Sequence, residues 1–257
     1  MKLIFLGTNG WYSTSTGNTV SALITAPERY IVLDAGDGIQ HLDKYVKDNK
    51  PIDIFLSHFH LDHVIGLHIQ PKFRFMKNKF RIFGQPGTKK WLNILVNNPF
   101  TASYALLKKQ GFDVSIHELR EGENKIDEYT VHTAPLVHAD PCWGFRFEIM
   151  CEKEKKIISY CTDTGPCENI VKLSKNADAL ITECGLLPGE PIPVSWPHMN
   201  PEDGAKLAKE ANVKKLIFTH FAPHKYLDVK MRENAQAEAR KIFPNAFAAT
   251  DGEEFEI

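Results

Sequence analysis

Short apolar runs set the rhythm of the N-terminal third of the chain. Leu3–Leu6 is such a run and stops at Gly7. Val20–Thr25 and Tyr30–Leu33 flank a Pro27-Glu28 turn and predict a hairpin. The glycine-rich break Asp34-Ala35-Gly36-Asp37-Gly38 follows, then a helical segment around Ile39–Lys47 and a buried strand at Ile52–Leu56. In the middle, Thr88–Val96 and Ser103–Gln110 predict helices, and Val114–Leu119 and Tyr129–Ala134 predict strands. Gly144–Met150 and Lys156–Cys161 flank a charged Glu152–Lys155 turn and predict a second hairpin. Ala179–Thr182 and Leu216–Thr219 are again short, apolar and strand-like. Pro201–Ala211 predicts a helix capped by Asn200, with Glu202 and Asp203 in the first turn, where acids favour the helix dipole. Val229–Ile242 predicts a final surface helix. Strands in sequence with helices interspersed imply sheets packed together with helices outside. No repeat, low-complexity tract or long linker divides the chain, so the expectation is one domain over residues 1–257.

Composition narrows the class. With 31 Lys plus Arg against 32 Asp plus Glu, the net charge is −1, which argues against a general polyanion-binding surface. No stretch approaches the ~20 apolar residues that span a bilayer, and the opening run is too short for a signal-peptide core. Cys142, Cys151, Cys161, Cys167 and Cys184 are odd in number and none is spaced as Cys-x-x-Cys. They fit unpaired thiols in a reducing, cytoplasmic setting.

The strongest chemical signal follows the Ile52–Leu56 run. His58-x-His60-x-Asp62-His63 places four metal-ligand side chains within six positions. Residues two apart in extended chain point the same way, so His58 and His60 can grip one ion together. Asp62 and His63 come after the chain turns and can face a second. Imidazole and carboxylate suit zinc, and also manganese or iron. Further candidates stand at strand ends or in polar loops: His138, Asp163, His198 and His220.

Taken together, these segments resemble the metallo-β-lactamase superfamily. The loop at 58–63 is similar to its signature, Asp34 in Leu33-Asp34-Ala35-Gly36 resembles its first motif, and His138, Asp163 and His220 resemble the later ones, in the family's order. The resemblance implies an α/β fold, a four-layer αββα sandwich, with two divalent metals at the edge of the sheets. It implies that His58, His60 and His138 hold the first metal, that Asp62, His63 and His220 hold the second, and that Asp163 bridges both. Two dications ~3.5–4 Å apart repel strongly, and a shared carboxylate offsets that repulsion. By the same resemblance Asp34 orients a histidine ligand by hydrogen bonding rather than touching metal.

The last ligand is His220, where many zinc β-lactamases carry cysteine. His198, about twenty residues earlier, opens the Pro201–Ala211 helix, and the tail through Val213–Phe221 resembles that of ribonuclease Z and related phosphodiesterases. Phe5-Leu6-Gly7-Thr8 resembles the opening of that branch. The resemblance implies that His198 contacts the scissile phosphate and assists the leaving oxygen instead of binding metal. The tRNA-processing enzymes carry a long arm between the third and fourth motifs. Here only about two dozen residues separate His138 from Asp163, enough for the hairpin alone.

The expectation is therefore a dinuclear metal-dependent hydrolase, a phosphodiesterase for a small or cyclic phosphodiester. The attacking group would be a metal-bridging hydroxide, with zinc the first choice of metal and His198 and Asp62 assisting as proton donor and acceptor. The alternatives are a ribonuclease Z-like RNA 3′-end endonuclease, a hydrolase of lactones, thioesters or sulfate esters, and, least favoured, a non-catalytic RNA-binding protein. No membrane partner is expected. Homodimerisation is common in the family, but no sequence feature marks an interface. Lys72, Arg74, Lys77, Lys79 and Arg81 interleave with Phe73, Phe75, Met76 and Phe80, a pattern that can bind single-stranded nucleic acid but more often is a half-buried segment with a basic outer face. Trp196, His224 and Lys225 are placed at the mouth of the pocket, where Trp196 is a candidate stacking surface or lid. His41, His68, His117 and His132 are read as structural.

Overall fold

In the computed structural model, which describes residues 1–257, the short apolar runs become strands of two seven-stranded sheets. The first sheet is built from β1 (Lys2–Gly7), β2 (Ser21–Thr25), β3 (Tyr30–Leu33), β4 (Ile52–Phe55), β5 (Phe80–Gly84) and β6 (Val114–Glu118). The second is built from β7 (Gly122–Ile126), β8 (Tyr129–Pro135), β9 (Trp143–Cys151), β10 (Glu154–Cys161), β11 (Ala179–Glu183), β12 (Leu216–Thr219) and β13 (Ala246–Ala248). The last strand, β14 (Glu254–Glu256), returns to the first sheet and pairs with β1. The spatial orders are β14-β1-β2-β3-β4-β5-β6 and β13-β12-β11-β10-β9-β8-β7.

Alternation along each strand explains the layers. In β1, Leu3 and Phe5 face the space between the sheets, where they meet Phe55, Phe145, Phe147, Ile158 and Ile181. Ile4 and Leu6 point the other way, toward Ile39, Leu42, Leu67 and Phe73. The second sheet does the same: Ile181 and Ile217 face inward, while Leu180, Leu216 and Phe218 pack on outer helices through Ile170, Ala205, Ala208 and Ala235. Strands covered on both faces lose the polar-out alternation and read as continuous apolar runs. Three apolar layers, one between the sheets and one outside each, give the αββα sandwich. Each buried Leu or Phe side chain stabilises it by about 1.5–3 kcal/mol.

The helices are α1 (Leu61–Val64), α2 (Gln70–Phe73), α3 (Thr88–Leu95), α4 (Tyr104–Lys109), α5 (Glu168–Ser174), α6 (Pro201–Glu210) and α7 (Val229–Arg240). Asn200 caps α6 as expected, its side chain accepting from the Asp203 N–H at 2.9 Å. The segment expected to be helical around Ile39–Lys47 is a 3-10 helix over Asp37–Lys44. Helix α7 is less superficial than its sequence suggests, because Arg232 is fully buried. Strands β5, β7, β13 and β14 and the short helices α1, α2 and α5 were not predicted.

The basic–aromatic stretch at 72–81 is split between core and surface, with Phe75 77% exposed. Phe73 and Phe80 are core residues with ring centres 5.4 Å apart. Lys72 pairs with Asp43, and Arg81 with Asp53. All five cysteines are unpaired. No helix is long and apolar enough to cross a membrane.

Candidate metal centre

Parallel pairing gathers the candidate residues at one edge. In β3–β4–β5–β6 and β10–β11–β12–β13 the strands run parallel, and ligand sites in such sheets form beyond the carboxyl ends. Leu33 pairs with Phe55, so Asp34 leaves the sheet beside Leu56-Ser57-His58. Cys161 pairs with Thr182 and Glu183 with Thr219, so Asp163, Glu183 and His220 leave the second sheet side by side. Asp34, Asp163 and His220 all adopt positive φ, between 53° and 55°. For residues other than glycine this is uncommon backbone, and it clusters at functional sites.

Every expected ligand reaches the same place. His58, His60, His138 and Asp163 form one group whose ligand atoms lie within 4.8 Å of one another, and Asp62, His63 and His220 form a second. Asp163 stands between them and uses its two oxygens differently. Oδ2 lies 3.6 Å from His58 Nε2 and 4.0 Å from His138 Nε2, whereas Oδ1 lies 3.1 Å from His220 Nε2 and 3.3 Å from His63 Nε2. Asp62 Oδ2 is 3.3 Å from His220 Nε2 and 3.6 Å from His63 Nε2. His41, His68, His117 and His132 belong to neither group.

Hydrogen bonds around these groups fix ring orientation. The buried carboxylate of Asp34 accepts from the Ser57 N–H (2.7 Å), the Ser57 hydroxyl (2.8 Å), the Tyr160 hydroxyl (2.7 Å) and His63 Nδ1 (2.7 Å). A carboxylate can only accept here, so His63 Nδ1 carries a proton and Nε2 is the atom turned to the centre, free to ligate once its own proton is displaced. His60 Nε2 contacts Asp140 Oδ2 at 2.8 Å, which turns Nδ1 toward His138. Neither Asp140 nor Tyr160 was singled out in the sequence.

The fit to metal ions rests on atoms left without partners. The side-chain nitrogens His58 Nε2 and His63 Nε2 are buried and accept or donate no hydrogen bond. Such orphaned groups are costly in a folded protein, and divalent ions are the partners that imidazole nitrogens and carboxylates together would satisfy. The charges agree. Burial opposes the ionised form of Asp163, yet His220, His63 and His58 outweigh it and hold its pKa well below the usual carboxylate range. Burial opposes charge on His63 too, but Asp163, Asp62 and Asp34 carry its pKa well above the usual imidazole range. Burial and His63 push His58 far down, which keeps it a neutral donor. The carboxylates thus demand positive charge at this point, and ligand binding would exchange protons for metal.

His198 borders the centre, grouped with Asp163 and His220, but it is tied elsewhere. Its Nδ1 lies 2.8 and 2.9 Å from the two oxygens of Glu183, which also accepts from the backbone N–H of Thr164, Gly185 and Met199. Its Nε2 is buried without a partner. Burial lowers the His198 pKa, and Glu183 more than reverses this, raising it to about 9. Glu183 was missed in the sequence, where only its place at the end of an apolar strand set it apart.

The rim is aromatic. Gly10 lies so close to the His220 ring that a Cβ there would come within 2.4 Å of it. The next residue, Trp11, donates its N–H to Asp62 Oδ2 at 2.6 Å. Its ring centre is 4.9 Å from that of His198 and 5.1 Å from that of His220. Trp196 stacks on His60 at 5.5 Å and 7°. His224 meets Trp11 edge-on at 5.7 Å, whereas Lys225 pairs with Glu190.

Comparison with known proteins follows the same lines. Residues 29–221 match the family described as Beta-lactamase superfamily domain. A ribonuclease Z of Bacillus licheniformis is 29% identical over 314 aligned positions, covering 100% of this chain and 99% of that protein. About 57 of those positions have no residue in this 257-residue chain. A metallo-β-lactamase fold protein of Bacillus subtilis, YhfI, superposes with a TM-score of 0.79 at 20% identity, over 99% of each chain. A diphosphatase from the PhnP family superposes with a TM-score of 0.70 at 17% identity, over 100% of this chain and 96% of the other.

Proposed function

This chain belongs to the beta-lactamase superfamily and is a metal-dependent hydrolase; we propose that its substrate is a small or cyclic phosphodiester. The observation that carries this reading is His198: a histidine beside both ligand groups, held at Nδ1 by Glu183, with Nε2 buried and unpartnered. His58, His60 and His138 would hold one divalent ion, Asp62, His63 and His220 a second, with Asp163 shared and Asp34 orienting His63. Zinc is the first choice for this donor set. When bound, two dications supply Lewis acidity toward a phosphoryl oxygen and lower the pKa of coordinated water to about 7. The protein's own residues do the rest. Glu183 fixes the His198 ring so that Nε2–H donates to a phosphoryl or leaving oxygen. Asp62, ionised and anchored by the Trp11 N–H, is the proton acceptor. Residues 1–257 act as one domain in this reading.

The hairpin of β9 and β10 fills the interval between His138 and Asp163 and leaves no protruding arm there. That favours a small substrate. The ribonuclease Z relatives favour a second reading, cleavage at RNA 3′ ends.

The test is hydrolysis of bis(p-nitrophenyl) phosphate by protein loaded with zinc or with manganese, with Asp163→Ala as blank. Turnover above the blank, followed by a panel of cyclic phosphates against a 3′-extended RNA, separates the two substrates. His198→Ala should keep both metals and lose turnover by about 10²–10⁴-fold, the usual worth of a positioned acid. Loss of a metal ion from that variant would make His198 a ligand and defeat the role.

A further inference from the structure

We infer that Trp11 and Trp196 form a two-sided aromatic clamp that selects phosphodiesters whose two ester arms carry planar rings, as the bases of a dinucleotide do. The inference rests on the phosphodiesterase reading and adds the substrate class.

The two indoles flank the centre on different sides. Trp11 lies against His198 and His220, toward the Asp62–His63–His220 group. Trp196 lies against His60 and His138, toward the other group. His198 stands between them, its ring 5.5 Å from His138 and 4.9 Å from Trp11. A phosphate that accepts from His198 Nε2 must send its two ester arms away in different directions, and a tryptophan borders the centre on the His220 side and on the His138 side.

Both indoles are presented rather than packed away. Trp11 is 36% exposed and Trp196 42% exposed. Trp196 has one face on the His60 ring at 7°, so the opposite face is the one available for stacking. Trp11 is held at φ 56°. That is strained backbone for a bulky side chain, and it persists only where the surroundings enforce it. Here the enforcement is visible: Asp62 accepts the Trp11 backbone N–H at 2.6 Å, and Gly10 lies too close to the His220 ring to admit a side chain. A planar base stacks on either indole irrespective of its sequence identity, and loss of one such aromatic commonly weakens binding about tenfold.

The experiment compares two esters with the same leaving group in zinc-loaded protein, thymidine 5′-(p-nitrophenyl) phosphate and methyl p-nitrophenyl phosphate. The first carries a ring on both arms and the second on one. KM should be about tenfold lower for the thymidine ester. Trp11→Ala and Trp196→Ala should each raise that KM about tenfold, with the loss concentrated in KM rather than kcat. Only one of them should affect the methyl ester, and Trp→Phe at each position should restore most of the binding. Equal loss on both esters in both variants, or no change in KM, overturns the clamp. If neither ester is turned over, the phosphodiesterase reading fails, and the clamp is then read by quenching of tryptophan fluorescence with thymidylyl-(3′→5′)-thymidine. A half-saturating dinucleotide concentration that rises about tenfold in both alanine variants, read from the remaining tryptophans, keeps it; an unchanged half-saturating concentration, or no quenching in the wild type, overturns it.

Discussion

Strand β4 carries a buried charge cluster at each end, and the two are built on opposite principles. Near its start, Asp53 is fully buried and accepts from Arg29 (2.8 Å), Arg81 (2.7 Å to each oxygen) and the Tyr129 hydroxyl (2.6 Å). Arg29 continues to Asp127 and Glu128. Beyond its other end, about five residues and ~16 Å away, His58 enters a cluster in which several buried imidazole nitrogens have no partner. Both clusters rest on a buried aspartate that takes a tyrosine hydroxyl. One is closed and the other open. The difference separates charge used to lock two sheets together from charge kept available for a ligand, and unsatisfied atoms reveal it better than burial or charge count does.

Breaking each cluster at its centre should give unlike failures. Asp163→Ala should lower metal content below two ions per chain, measured by atomic emission, and bring turnover to background. Asp53→Ala should instead leave buried Arg29 and partly buried Arg81 with only the outer carboxylates Asp127 and Glu128 as counter-charge. The expected cost is about 3–5 kcal/mol in denaturant unfolding, with metal content per folded chain unchanged. Equal metal loss in both variants would mean that the closed cluster also shapes the centre.

The tyrosine pair sharpens the contrast. Tyr160→Phe removes a donor from Asp34, which orients His63, and should weaken metal binding about tenfold in a chelator competition. Tyr129→Phe removes the matching donor from Asp53 and should cost about 1 kcal/mol of stability with metal affinity untouched. Interchanged results would reverse the assignment of the two clusters.

The smallest expected effect is acid sensitivity of the closed cluster. The hydrogen bond from Arg29 lowers the pKa of Glu128, and Arg81 and Arg29 lower that of Asp127 against its partial burial. A carboxyl with a depressed folded-state pKa stabilises fully above its ordinary value and loses that contribution as pH falls. The loss should therefore begin near pH 4.5, the ordinary value for Glu128, and continue below it. Both groups are partly exposed, so salt should flatten the effect. A melting-temperature profile of Glu128→Gln that parallels the parent below pH 4.5 would remove Glu128 from the account.

The open cluster was far more legible in the sequence than the closed one. His58, His60, Asp62 and His63 stand together, so a single loop announces them. His138, Asp163 and His220 could be found because each follows an apolar run that had to be a strand. Asp34 needed the resemblance. Glu183, Tyr160 and Asp140 reach the site through hydrogen bonds set by sheet register, which no local pattern encodes. Arg29, Asp53 and Arg81 look like ordinary charges on strands and become a cluster only when β4, β5 and the β7–β8 turn meet. Arg232 looked like one more basic residue on an outer helix, yet it is buried against Thr8, Asn9 and the Phe221 ring. Polar β7 and three-residue β13 and β14 lack the apolar signal by which most other strands were read, and in β5 that signal was hidden by the basic residues of the 72–81 stretch.

The pairing of β14 with β1 has a consequence for the order in which the molecule is made. Asp251, just before β14, accepts from the Thr8 hydroxyl at 2.7 Å and from the Asn18 backbone and side chain at 2.7 and 2.8 Å. Thr8 lies three residues before Trp11, and the loop between them leans on His220. A growing chain that has already exposed the His58–His63 loop therefore still lacks the clasp around Trp11. Contacts spanning 243 residues raise the contact order of the fold, which lowers folding rate. The segment beside the metal centre is translated among the first, and its clasp can close only once Asp251 has been made.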